Sequence, residues 1–287
     1  MKVNTLTLNN LGYPTCLKHI TGPPKQLFWI GMEPRSWLDK PKVAIVGSRK
    51  ISAYGKEVTY RMSQELAKSG VVIISGLAYG VDATAHQAAV EAGGTAVAIL
   101  PTSLAKIVPV SNQHLAQKIV ENGGTLLSEY ASGDEVYKTN FVARNRIVSG
   151  LCDILLITEA AVNSGSLHTA RFALEQGKTV MAIPGNITSP TSEGCNNLIK
   201  SGAVPVTDAQ DIFFVLNINP VQAREERIFH GTPEEEKVLE VIKQGIITQE
   251  EIAQASSLDG AKTSSVLTML EISGQIRPQG AGIWTIS

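Results

Sequence analysis

Gly47-Ser48-Arg49 directly follows an unbroken apolar run that begins at Val43, and Ser52, Tyr54 and Gly55 lead from it into a helical pattern. A glycine permits a tight turn, a serine and a helix N-terminus supply donors, and Arg49 adds a fixed positive charge, a combination suited to a phosphate. The GxGxxG dinucleotide fingerprint is not met, because only Gly47 of its three glycines is present, and the chain has no GxxxxGK[ST] loop. The plainer alternative is that Arg49 pairs with a neighbouring carboxylate. A second anion cradle is expected at Ser164-Gly165-Ser166 and Thr169, where small hydroxyl residues and a glycine open a helix. An ordinary capped helix start accounts for the same residues without a ligand.

Phe141-Val142-Ala143-Arg144-Asn145-Arg146 places two arginines two positions apart, so on a helix they diverge by about half a turn. One is expected to face a ligand and the other an internal carboxylate such as Glu129 or Glu159. An aromatic beside arginines is what single strands stack on, although core packing also explains Phe141. In Ser75-Gly76-Leu77-Ala78-Tyr79-Gly80-Val81-Asp82, the glycines permit close backbone approach, and Asp82 lies four residues before His86 on one helix face. A hydrolytic Asp/His pair and a capping Asp beside a packed His are both open. Glu129 and Glu159 are either an acid/base pair or partners of the arginines, and the ion-pair reading is favoured. Ile183-Pro184-Gly185-Asn186 is expected to shape a site rim.

These segments must be held by something regular. VAIVG, VVIIS, TAVAIL, TLLS, DILLIT and TVMAI, starting at Val43, Val71, Thr95, Thr125, Asp153 and Thr179, are apolar without alternation, as parallel strands covered on both faces are. Helical patterns run between them over Tyr54 to Ser69, Val81 to Ala92, Asn112 to Asn122, Phe141 to Gly150 and Ser166 to Gln176. The predicted fold is α/β, an extended Rossmann-like doubly wound and mostly parallel sheet, with its ligand at the carboxyl ends of the strands. Residues 1–40 are expected to be a short lead-in packed on the sheet, 41–216 the Rossmann-like domain, 217–232 a linker and 233–287 a small winged-helix-like domain. That last domain is read from three short helices, Pro233 to Lys243, Thr248 to Ala255 and Ala261 to Ser273, and a hairpin from Ile276 to Thr285.

The chain has 287 residues, 43% hydrophobic and 18% charged, enough for one large domain and one small one, and a net charge of −1. Eight acidic and four basic residues lie from Pro233 onward, so an electrostatic site for nucleic acid belongs to the first part. Cys16, Cys152 and Cys195 lack neighbours at metal-ligand spacing and are read as reduced packing residues. No cofactor or metal is expected. Without a signal-like leader or a long apolar span, a cytoplasmic protein with no membrane partner is expected. Ile212, Phe213, Phe214 and Leu216 form an apolar cluster that predicts a homodimer.

The ordered strings AIVGSR-x-x-S-x-YG, SGLA-x-G-x-D-x-x-AH, LLSEY, F-x-x-RNRI and EA-x-x-x-SGSL-x-TA, followed by IPGN and NLIKSGAV, closely resemble the DNA-processing protein A family, also called Smf. The resemblance covers about Gly12 to Leu216 and continues more weakly to the C-terminus. It implies a non-catalytic protein that binds and protects incoming single-stranded DNA and loads a RecA-type recombinase during natural transformation. Carried over, it makes Arg49 and the Arg144-Asn145-Arg146 cluster the DNA-facing residues, with the SGSL segment at Ser164, Gly165 and Ser166 lining the same pocket; Gly47, Ser48, Ser52, Phe141 and Thr169, from the reading of the residues themselves, complete the expected nucleic-acid-binding set. The loop from Pro101 to Val110 departs from the family: Leu104, Pro109 and Asn112 keep its frame, but its usual Asp, Tyr and basic residue are gone, with Lys106 expected to compensate in part. A phosphoribohydrolase-like enzyme is the alternative, but its PGGxGT-x-x-E signature has no counterpart; a protein adaptor rests only on the acidic tail.

Overall fold

The computed structural model describes residues 2–218, 231–273, 275–280 and 282–286. Its chain divides into two compact units, Met1–Gln222 and Ala223–Ser287, and most of the linker expected over 217–232 lies outside the described residues.

The first unit opens with elements that the sequence pattern does not announce. β1 (Asn4–Thr7), α1 (Thr15–Lys18), β2 (Gln26–Gly31) and α2 (Arg35–Leu38) precede the first apolar run. They are part of the core, for Leu17, Leu27 and Trp37 are fully buried, each contributing about 1.5–3 kcal/mol of apolar burial. The Trp37 indole N–H donates to Thr125 Oγ1 at 2.9 Å.

The six apolar runs all form strands: β3 (Lys42–Val46), β4 (Val72–Ser75), β5 (Ala96–Leu100), β6 (Thr125–Ser128), β7 (Ile154–Ile157) and β8 (Thr179–Ala182). Between them run α3 (Ala53–Lys68), α4 (Val81–Glu91), α5 (Gln113–Glu121), α6 (Lys138–Leu151) and α7 (Ser166–Glu175). α8 (Glu193–Lys200), the two-residue β9 (Val204–Pro205) and α9 (Ala209–Leu216) complete the unit. Strand order across the nine-stranded sheet is β1-β2-β6-β5-β4-β3-β7-β8-β9. β6 through β9 are mutually parallel, while β1 and β2 add an antiparallel edge.

Alternate strand residues feed two cores, as the two-residue repeat of a strand requires. Val43, Ile45 and Ile73 pack on one face with Met62 and Leu66 of α3, Ala85 of α4 and Phe213 of α9. Ala44, Val46 and Ile74 pack on the other with Ile147 of α6 and Ala170 of α7. Ile212 and Phe213 are therefore covered by their own sheet, and of the expected dimer cluster only Phe214 is broadly exposed, at 86%.

The second unit contains α10 (Pro233–Lys243), α11 (Gln249–Ser256), α12 (Gly260–Ile272) and an antiparallel hairpin of β10 (Ile276–Gly280) and β11 (Ile283–Ile286). Val238, Leu239, Ile252, Leu267 and Leu270 form its core. Thr232, Thr248 and Asp259 each accept a backbone N–H from the first turn of the helix they precede, which satisfies donors that a helix start leaves open. This is the winged-helix arrangement. Lys262, the basic residue of α12, is drawn to Glu234 of α10 at 3.8 Å. No described helix is long and apolar enough to cross a membrane.

Candidate nucleic-acid interface

The chain runs from β3 through β4 and β5 to β6 on one side, then returns to β7 beside β3 and continues through β8 to β9 on the other. The strand order thus reverses between β3 and β7, where an open parallel sheet leaves a crevice at its carboxyl ends. Gly47-Ser48-Arg49 leaves β3 at this point. Ser48 N–H donates to Glu159 O at 2.7 Å, and Ser48 O accepts Val81 N–H at 3.1 Å, so the turn is bound to the segments that follow β7 and β4. A side chain at Gly47 would place Cβ 2.6 Å from Glu159 O. Gly80, at φ +73°, would drive a Cβ into Ser48 O. Both glycines are thus required by close backbone approach.

Arg144 forms the floor. It projects from α6 and is only 3% exposed. Its Nη1 donates to Gly76 O at 2.5 Å and also to Ile99 O, while Nε donates to Asn145 Oδ1 at 3.1 Å. Gly76 lacks a side chain because the guanidinium occupies the place of its Cβ. Burial draws the Arg144 pKa down to about 10, opposed by the charge of Asp82, so the group is cationic at neutral pH. Arg146 takes the opposite course, as half a turn of helix demands. It pairs with Glu129 at 2.6 Å and donates to Gly22 O at 3.0 Å.

The turn between β4 and α4 is held by Asp82, whose Oδ2 accepts Gly76 N–H at 3.0 Å and Ala78 N–H at 3.3 Å. Asn112 Nδ2 donates to Leu77 O at 2.9 Å and to Ala78 O at 3.2 Å. These bonds sustain Leu77 at φ +55°, a left-handed conformation costing a branched residue about 1–3 kcal/mol. Burial raises the Asp82 pKa, while Arg144 and the two backbone donors act against it. His86 is fully buried, and neither ring nitrogen has a hydrogen-bond partner of ordinary geometry. Burial pushes its pKa down to about 3; the Ser75 backbone acts in the opposite sense and the Arg144 charge in the same one. A neutral packed imidazole and a turn-holding carboxylate do not form a hydrolytic pair.

Glu159 is similarly engaged. Its Oε2 accepts the N–H and the hydroxyl of Ser52, each at 3.0 Å, while Ser52 Oγ accepts Gly55 N–H to cap α3. Glu129 and Glu159 are therefore separately tied to Arg146 and Ser52, an arrangement unlike an acid/base pair.

Above the floor opens a cavity of about 500 Å³. Gly47, Ser48 and Arg49 line it from β3, Phe141, Arg144 and Asn145 from α6, and Ser164, Gly165, Ser166 and Thr169 from the start of α7. The Arg49 guanidinium lies 5.5 Å from the Phe141 ring centroid, a cation–π contact at the mouth. Ser164 and Ser166 share a hydroxyl hydrogen bond at 2.8 Å. Arg49, Lys50 and Arg144 face one carboxylate, Asp82, among the lining residues. Such a surplus of positive charge with hydroxyl donors accommodates an anionic group. Ser52 and Arg146 do not line the cavity and act through Glu159 and Glu129 instead. Lys106 is exposed and also outside the lining. Lys50 and Thr191 line it without having been singled out in the sequence. Adjacency to Arg49 was a usable signal for Lys50, whereas Thr191 comes from a loop remote in sequence and carries none.

These features define a Rossmann-like α/β protein with a cationic switch-point cavity, followed by a winged-helix domain. The chain belongs to the DNA recombination-mediator protein A family, whose model matches residues 4–217. The DprA winged helix domain model matches residues 222–282. The DNA processing protein DprA of Streptococcus pneumoniae is 42% identical over 200 residues, covering 70% of each chain. Protein Smf of Escherichia coli is 44% identical over 200 residues, covering 70% of this chain and 53% of that one. The X-ray structure of the Streptococcus pneumoniae protein superposes with a TM-score of 0.69 at 40% identity, covering 75% of this chain and 74% of its own. DNA processing protein A of Helicobacter pylori, described for its single-stranded DNA binding mode, gives 0.68 at 35% identity over 76% of this chain and 96% of its own.

Proposed function

We propose that this protein binds single-stranded DNA in the switch-point cavity, protects it, and passes it to a RecA-type recombinase during DNA uptake in the cytoplasm. The observation that carries this reading is the Arg49, Lys50 and Arg144 set beside the α7 hydroxyls at the reversal of the sheet. Family membership and the DNA-binding Helicobacter pylori relative support it. Arg49, exposed at the mouth, neutralises a backbone phosphate, and Phe141 beside it offers a face to a base. Gly47, Ser48, Asn145, Ser164, Gly165, Ser166 and Thr169 shape the contact surface, whereas Ser52, Arg144 and Arg146 hold it in place.

The test is a titration with fluorescent oligo-dT, duplex DNA and nucleotide monophosphates, with the strands checked for cleavage afterwards. Tight binding of intact oligo-dT alone is expected. Arg49→Ala should weaken it about tenfold or more and flatten the slope of log K against log salt by about 0.7. Unchanged affinity in Arg49→Ala, or release of base or phosphate from any substrate, sinks the reading. Recombinase loading has its own readout, a shortened lag in the DNA-dependent ATPase of a RecA-type protein on oligo-dT, and no change in lag refutes it.

A homodimer is part of the proposal, resting on the exposed Phe214 and its neighbour Val215, 39% exposed at the end of α9. A strictly monomeric fragment ending near Ile218, at tens of micromolar in sedimentation, would remove it. The winged-helix unit, with its acidic balance and its Lys262 drawn to Glu234, is proposed as a protein-contact module. It fails in that role if its removal costs oligo-dT binding tenfold.

A further inference from the structure

Thr191 lines two cavities. One is the cationic cavity already described; the other, of about 510 Å³, lies between the start of α3 and the loop that follows β8. Tyr54, Pro184, Asn186 and Ser189 are among its walls, and none of its lining residues carries a charge. Tyr54 is 47% exposed, yet its hydroxyl donates to Pro184 O at 2.8 Å, so the ring is held at one end while its body faces the cavity. The opposing wall is also fixed. Asn196 grips Gly185 from both sides, accepting its N–H at 3.2 Å and donating to its carbonyl at 3.1 Å. Ser189 and Thr191 share a hydroxyl hydrogen bond at 2.9 Å along the rim.

A DNA strand alternates charged phosphates with uncharged, flat bases. The two cavities alternate in the same way, the first cationic and the second neutral, with an exposed aromatic and amide and hydroxyl groups. Taking the single-stranded DNA reading as its premise, we propose that Tyr54 is the stacking platform for a base adjoining the phosphate held in the cationic cavity. The anchored hydroxyl restricts the ring before the base arrives, which lowers the cost of ordering it on binding.

The experiment compares Tyr54→Ala, Tyr54→Phe and Arg49→Ala in oligo-dT titrations over a range of salt. Photo-crosslinking of the unaltered protein to oligo-dT carrying 5-iodouracil accompanies it. Tyr54→Ala should lose about fivefold or more in affinity, the scale of one base–aromatic stack, with the salt slope of the unaltered protein. Tyr54→Phe keeps the ring and should stay within about twofold. The crosslinked peptide should contain Tyr54. Wild-type affinity in Tyr54→Ala, a salt slope flattened as in Arg49→Ala, or crosslinks confined to other peptides overturns the platform. If Tyr54→Ala does not fold, the crosslink on the unaltered protein decides. Weakened binding in Arg49→Ala alone removes the platform and leaves the DNA reading standing, whereas no loss in either variant removes both.

Discussion

Replacing Arg144 by methionine is expected to lower the free energy of unfolding by about 3–5 kcal/mol and to abolish oligo-dT binding. The substitution keeps the apolar bulk of the side chain and removes the donors. Gly76 O and Ile99 O then lose their donor in a buried position, at about 1–3 kcal/mol each. Asp82 loses the opposite charge that opposes its burial. Against the roughly 5–15 kcal/mol that stabilises a typical domain, this is a severe loss. Arg144→Lys should be intermediate, because a point charge on a flexible stem cannot reproduce the planar fork that meets two carbonyls and Asn145 together. Urea unfolding followed by circular dichroism checks the effect. A loss below about 1 kcal/mol would show that water replaces the guanidinium. Arg49→Ala is the contrast, weakening DNA binding with unfolding changed by no more than about 0.5 kcal/mol, since Arg49 is exposed.

Lowering the pH from 7 to 5 is expected to remove about 2 kcal/mol of stability through His86 alone. Its pKa is about 3 in the fold against the ordinary 6.5. Between those values the unfolded chain binds the proton and the folded chain does not, so stability is present above the unfolded value and lost as pH falls through the window. By pH 3 the loss reaches about 4–5 kcal/mol. At pH 5 the folded ring is still neutral, so the size of the effect there is set by the unfolded value. Asp82 works in the opposite sense, because its raised pKa makes the fold take up a proton before the unfolded chain does. Comparison with His86→Leu separates the two, since that variant retains Asp82 and Arg144. The unaltered protein should lose about 2 kcal/mol more than His86→Leu over this interval in urea titrations. Parallel pH curves for the two proteins would refute a neutral buried imidazole.

The central strands were legible because burial on both faces leaves no polar alternation: VAIVG and DILLIT need no partner to be recognised. β1 and β2 were not, since Asn4–Thr7 is short and half-exposed, and Gln26–Gly31 follows a proline- and glycine-rich stretch that reads as loop. α9 shows the same limit from the other side. Its apolar run was evident, but whether Ile212 and Phe213 meet a second chain or their own sheet depends on where the helix docks.

The sequence by itself determined the residue types at the site and the two-apart spacing that forces Arg144 and Arg146 to diverge, because helical phase is a local property; what the glycines at 47, 76 and 80 must clear, Glu159 O, the Arg144 guanidinium and Ser48 O, came only with the assembled sheet. Tertiary structure alone decided that β3 and β7 are neighbours, and so that Gly47-Ser48-Arg49 and Ser164-Gly165-Ser166 share one cavity. It also decided which arginine turns inward: Arg144 meets the carbonyls at the ends of β4 and β5, while Arg146 meets Glu129, because partners distant in sequence are brought together only when the sheet assembles.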